Sequence, residues 1–215
     1  MTTLSPKTWP RWSRLFASGV VFGVIGYGVG QLLATQVFPD GPSASDLNLR
    51  WSDILAALVA AGMVIGAGAV LITSLDAGRL GRMYGLEGAA SATEIGQARF
   101  QSVVMGFSGV ILILPVIFSL TGVPALIGVA AVAVLLALHT VMNVRVYLQA
   151  DELLRRAVLE SAAVTFFLGQ GLLFVWAAAE RLGLAPTITA WDIYAVLMAF
   201  YLFASLVVSI RRGLT

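Results

Sequence analysis

An all-α fold, a polytopic membrane bundle of six transmembrane helices, is predicted by three observations. Of 215 residues, 59% are hydrophobic and only 11% are charged. The mean hydropathy is +0.93, outside the range of a soluble globular domain. The apolar residues gather into runs near the roughly 20 residues that a helix needs to cross a hydrocarbon core about 30 Å thick. The cations, twelve arginines and one lysine, fall almost wholly between alternate runs.

The predicted spans are 15–38, 54–75, 100–120, 123–144, 157–179 and 193–210. The segments between them are too short to bury a core of their own, so residues 1–215 read as a single transmembrane domain. A basic prelude from Lys7 to Arg14 precedes the first run and resembles the front of a secretory signal. The run itself, about 24 residues, exceeds the roughly 7 to 15 of a cleaved signal, so an uncleaved anchor is expected.

Gly19, Gly23, Gly26 and Gly30 are spaced four, three and four apart on one face of that first span, and Gly62, Gly66, Ala69 and Thr73 repeat the spacing in the second. Without a hydrophobic drive between helices in lipid, small residues allow the close approach that dispersion contacts need. Spans one and two are therefore expected to pack together; a groove for a flat apolar cofactor or a partner's helix is the alternative. Ser91-Ala-Thr-Glu94 has the form of a capping box and starts the third helix about two turns before lipid, carrying Arg99 to the headgroups. Pro115 removes a backbone hydrogen bond and should kink this helix. Thr121-Gly-Val-Pro124 is a tight turn that makes spans three and four antiparallel neighbours. The segment from Gln149 to Glu160 offers the four-residue pairs Asp151 with Arg155, Glu152 with Arg156, and Arg156 with Glu160. Trp12, Trp51, Tyr147, Trp176 and Trp191 fall near predicted membrane edges, where amphipathic rings anchor.

The cations set an orientation. Lys7, Arg11, Arg14, Arg79, Arg82, Arg99, Arg145, Arg155, Arg156, Arg211 and Arg212 fall on one side of the membrane, and only Arg50 and Arg181 on the other. By the positive-inside rule both termini are cytoplasmic. The pI near 9.3 is explained by these loops and implies no nucleic-acid partner. With no cysteine in the chain, disulfides, thiolate metal sites and thiol catalysis are excluded.

Polar residues inside apolar spans carry a cost that something must offset. They are Gln31, His139, Asn143, Glu160 and Gln170. An antiparallel hairpin turning at Gln149 and Ala150 would set His139 level with Glu160 and Asn143 level with Arg156, as an ion pair or proton relay near one edge of the core. For the amides an interhelical hydrogen bond is the plainer expectation.

The run Asp151-Glu-Leu-x-Arg155-Arg156-x-x-Leu159-Glu160 before an apolar span resembles a segment of small uncharacterised multipass membrane proteins of bacteria. The resemblance covers the last third of the chain and implies a bacterial inner (cytoplasmic) membrane but no activity. Gly106-Phe-Ser108-Gly109 resembles the serine motif of rhomboid intramembrane proteases, and His139-x-x-x-Asn143 resembles their oxyanion pair. The roles do not carry over: that family needs a second histidine as base and its HxxxN precedes the serine motif, whereas here a single histidine follows it. No metal-binding or phosphate-binding motif is present, and haem on His139 would need a second ligand from another residue type or subunit. No cofactor and no enzymatic activity are expected.

Two functional classes remain. The first is an accessory or assembly subunit whose partners are the bilayer and another membrane protein or a second copy of the chain. The alternative is a small-solute or ion/proton-coupled transporter using a His139/Glu160 cluster. A polar-lined pocket near the midplane would favour transport, and a dry bundle with an apolar groove would favour a partner.

Overall fold

Polar residues that satisfy orphan backbone groups decide where the helices begin. In the computed structural model, which describes residues 49–212, the elements are α1 (Trp51–Thr73), α2 (Ala77–Met83), α3 (Ala92–Thr121), α4 (Ala125–Gln149), α5 (Glu152–Arg181) and α6 (Ala190–Arg211). Five of them, all but α2, are long and apolar enough to cross a membrane. The predicted first span, with Gly19, Gly23, Gly26, Gly30, Gln31 and the preceding Trp12, lies outside the described residues.

The capping box predicted at Ser91 forms: the Ser91 N–H donates to Glu94 Oε2 at 2.7 Å and the Glu94 N–H to Ser91 Oγ at 3.3 Å. Thr189 and Asp192 build the same device on α6. Asp151 opens α5 by accepting from the Leu154 N–H at 2.7 Å. Gly122, at φ +69°, closes α3 in the left-handed conformation. Pro115 lies inside α3, which runs unbroken from Ala92 to Thr121.

The short α2 falls between the predicted spans. Asp76 caps it by accepting from the Arg79 N–H at 2.9 Å, and that hydrogen bond is the main reason its carboxyl sits below the ordinary aspartate value. Leu80 is fully buried against Ala90 and Ala98. Gly81 is required here, because a Cβ would come within 2.1 Å of the Gly88 carbonyl oxygen.

Helix α1 is central. It packs against α3 and α6, while α4 packs on α3 and α5 on α6. The core at these contacts is Ala56, Val59, Ala60, Met63, Leu112 and Ala195. Small residues make the approach possible: a Cβ on Gly109 would lie 2.7 Å from the Ala60 carbonyl oxygen, and one on Gly106 would lie 3.2 Å from Ala67 Cβ. Gly62 and Gly66 stand against Leu202 of α6 and Met105 of α3, so this stripe serves described neighbours; its expected pairing with the 15–38 stripe lies outside the described residues. The turn predicted between spans four and five is present at Ala150 and Asp151, but α4 and α5 do not pack along each other.

Charged residues tie the two ends. At the Trp51 end, the Arg50 guanidinium donates to Asp192 Oδ2 at 2.8 Å and the Trp191 indole N–H to Asp53 Oδ1 at 2.8 Å, joining the N-termini of α1 and α6. Asp192 is 1% exposed, and the same Oδ2 also accepts from the Thr189 N–H and hydroxyl. At the opposite end, Arg99 donates to the hydroxyl and the carbonyl of Ser74 at 3.0 and 2.9 Å, placing a cation on the negative C-terminus of α1. Trp176 donates to the Pro186 carbonyl at 3.1 Å.

Gly109→Ala should loosen the contact of α1 with α3 and destabilise by roughly 1–3 kcal/mol as an overpacked core does, whereas Gly68→Ala, which meets nothing within 4 Å, should not. Thermal unfolding of both variants in detergent is the measurement, and equal melting curves would contradict the close approach.

Candidate functional site

Gly109 faces α1, and a neighbouring position on a helix points about 100° away; Ser108 is thereby turned toward α4. Its Oγ lies 2.6 Å from His139 Nε2 and donates to the Val104 carbonyl at 3.0 Å. One turn along α4, the Asn143 amide nitrogen donates to the His139 carbonyl at 3.0 Å and lies 2.9 Å from Nε2. The Phe107 ring meets the imidazole edge-on at a centroid distance of 5.9 Å. Counting rise from Thr121 to Ser108 and from Ala125 to His139 puts both about 20 Å along their helices from the turn that joins α3 and α4.

These three side chains line a cavity of about 120 Å³. Helix α6 adds Tyr194, Met198 and Tyr201, α1 adds Met63, and Ile111 and Leu136 complete the wall. Ser108 and His139 are half-buried and Asn143 is exposed. The arrangement combines hydroxyl, imidazole, amide and phenol groups in an otherwise apolar pocket. Such a set can orient a small polar molecule or pass a proton. It also anchors α4, whose sole buried residue is Gly128, set against Phe118.

The expected cluster of His139, Asn143, Arg156 and Glu160 separates into three. His139 and Asn143 join Ser108. Glu160 is tied to α6: the Arg212 guanidinium donates to its Oε2 through Nε at 2.8 Å and through a terminal nitrogen, and Arg211 lies 3.9 Å away. Arg156 pairs with Glu152 at 2.8 Å, as the four-residue spacing predicts. Among the described residues His139 and Glu160 form no ion pair, because α4 packs on α3 and α5 on α6 rather than on one another. The other two predicted pairs also do not form: Asp151 is used as a cap, and Arg155 donates to the carbonyls of Tyr147 and Leu148 at the end of α4, its guanidinium 5.7 Å from the Tyr147 ring centroid. Gln170 lies exposed in α5 beside Gly169, which abuts Leu197.

Sequence spacing carries a signal for three further members of the site. Tyr194, Met198 and Tyr201 recur at the four- and three-residue spacing of one helix face. The Gly106-Phe-Ser108-Gly109 run marks Ser108 in the sequence, and its contact with His139 is what the fold adds. Among the described residues no three His, Asp or Glu side chains gather to hold a metal ion.

Apolar helices of this length and number define the make-up of a multipass membrane protein. Comparison with protein-family models, with curated proteins and with solved structures finds no match to the chain.

A double-mutant cycle on Glu160→Gln and Arg212→Gln should give a coupling of about 0.2–1 kcal/mol, the range of partly exposed ion pairs. The cycle on His139→Gln and Glu160→Gln should be additive. Coupling in the second cycle, read from unfolding in detergent, would restore the His139–Glu160 pair.

Proposed function

We propose that this chain is a proton-coupled transporter of a small solute in a bacterial inner membrane, with His139 carrying the proton. The observation that supports this best is the polar-lined cavity set about 20 Å along α3 and α4 from the turn that joins them, since solutes bind between helices well inside the bilayer. Ser108 and Asn143 supply hydrogen bonds to the imidazole, and the two phenols face the same space. The Glu160 of the expected relay is replaced in this reading by Ser108.

In reconstituted vesicles loaded with a pH dye, one member of a panel of carboxylates, amines and sugars should drive proton movement that His139→Gln abolishes. No solute-dependent pH change across the panel would reject the reading. A second reading, an accessory or assembly subunit, is favoured by α4, whose most apolar window is only 6% buried. Stoichiometric co-purification with a single membrane protein, together with silent vesicles, would select it.

The same reading includes a sixth span at 15–38 and cytoplasmic termini. It is supported by the grouping of Arg79, Arg82, Arg99, Arg145, Arg155, Arg156, Arg211 and Arg212 against Arg50 and Arg181. Because the chain lacks cysteine, Thr2→Cys and Thr215→Cys should both be protected from a membrane-impermeant thiol reagent added outside intact cells. Labelling of either from outside would overturn the orientation.

A further inference from the structure

The geometry points to Ser108 as a nucleophile with His139 as its base, acting on an apolar carboxylic ester held in the cavity between α3, α4 and α6. Oγ and Nε2 lie 2.6 Å apart, within reach for direct proton transfer. Both atoms' side chains line the cavity of about 120 Å³, so a reacting carbonyl has room beside the oxygen; a hydrogen bond serving packing alone needs no such space. Asn143, its amide nitrogen 2.9 Å from the same Nε2 and donating to the His139 carbonyl at 3.0 Å, stands beside the imidazole one turn further along α4. Met63, Ile111, Leu136 and Met198 give the wall an apolar side beside the Tyr194 and Tyr201 rings, which suits a short acyl chain.

The chemistry closes without a redox partner. The Ser108 hydroxyl hydrogen turns from the Val104 carbonyl to Nε2 while Oγ stays in place. The proton passes to Nε2 as Oγ bonds to the carbonyl carbon, and the carbonyl electron pair moves onto its oxygen. Collapse breaks the bond to the ester oxygen, which takes the proton from Nε2 and leaves as an alcohol. Water then attacks the acyl-serine, giving a proton to Nε2. Oγ recovers that proton as the carboxylic acid departs.

This inference does not rest on the transport reading. The full-length protein in detergent is exposed to an alkyl fluorophosphonate, and the peptide containing Ser108 is read by mass. The expected result is phosphonylation at Ser108, absent in Ser108→Ala and slowed about ten-fold or more in His139→Gln. An independent arm uses the lack of native cysteine: Ser108→Cys should be alkylated by iodoacetamide near pH 6 about ten-fold faster than the same cysteine paired with His139→Gln, because a neighbouring imidazole promotes the thiolate. An unlabelled Ser108 in the wild-type protein, labelling indifferent to His139, or a cysteine indifferent to His139 each overturns the proposal. Loss of solute-driven proton movement in His139→Gln with Ser108 unlabelled would keep the transporter and remove the nucleophile.

Discussion

The close approach of α3 to α1 at Gly109 is the constraint from which the rest follows. With a potential Cβ position 2.7 Å from the Ala60 carbonyl oxygen, only glycine lets these backbones meet. In lipid that contact must come from packing, since the surrounding chains are as apolar as the helices. The approach sets the rotation of α3, and the rotation aims Ser108 at α4. It also brings Met63, beside Ala60 on α1, to the floor of the cavity. The polar site is thus a by-product of how two apolar helices fit.

Charge works at the ends of the helices instead. Asp53, Glu94, Asp151 and Asp192 sit at or near N-termini, where free backbone N–H groups and the helix dipole favour a carboxylate. Arg99 and Arg155 reach the carbonyls that close α1 and α4. Most charge in the described residues therefore completes backbone hydrogen bonding and joins neighbouring helices. Glu160, which in sequence looked like half of a relay, behaves the same way by holding the last turn of α6.

Much of this was legible because it depends on local chemistry. Runs of apolar residues, the Ser91 and Glu94 capping box, the Gly122 turn and the Glu152–Arg156 pair follow from spacing alone. What failed was the step from adjacency in sequence to adjacency in space. Two helices joined through Ala150 and Asp151 were expected to pack, but each finds better small-residue contacts elsewhere, α4 through Gly128 on Phe118 and α5 through Gly169 on Leu197. Position along each helix follows from counting residues; the azimuth of each helix does not. For that reason His139 was paired with Glu160 where the structure pairs it with Ser108, and Ser108 was recognised as a motif but not as a neighbour.

The sparse burial of α4 bears on how the protein is made. Its apolar window has a mean hydropathy of 2.4, against 1.7 for α5, and Gly128 is the one residue it hides. A segment this apolar is favoured in lipid by its own side chains more than by its neighbours. Helix α5, less apolar and fastened to α6 through Glu160 and Gly169, is the segment whose membrane entry benefits from a later one. The two neighbours thus differ in what they ask of the rest of the bundle, α4 drawing on its own apolarity and α5 on its ties to α6.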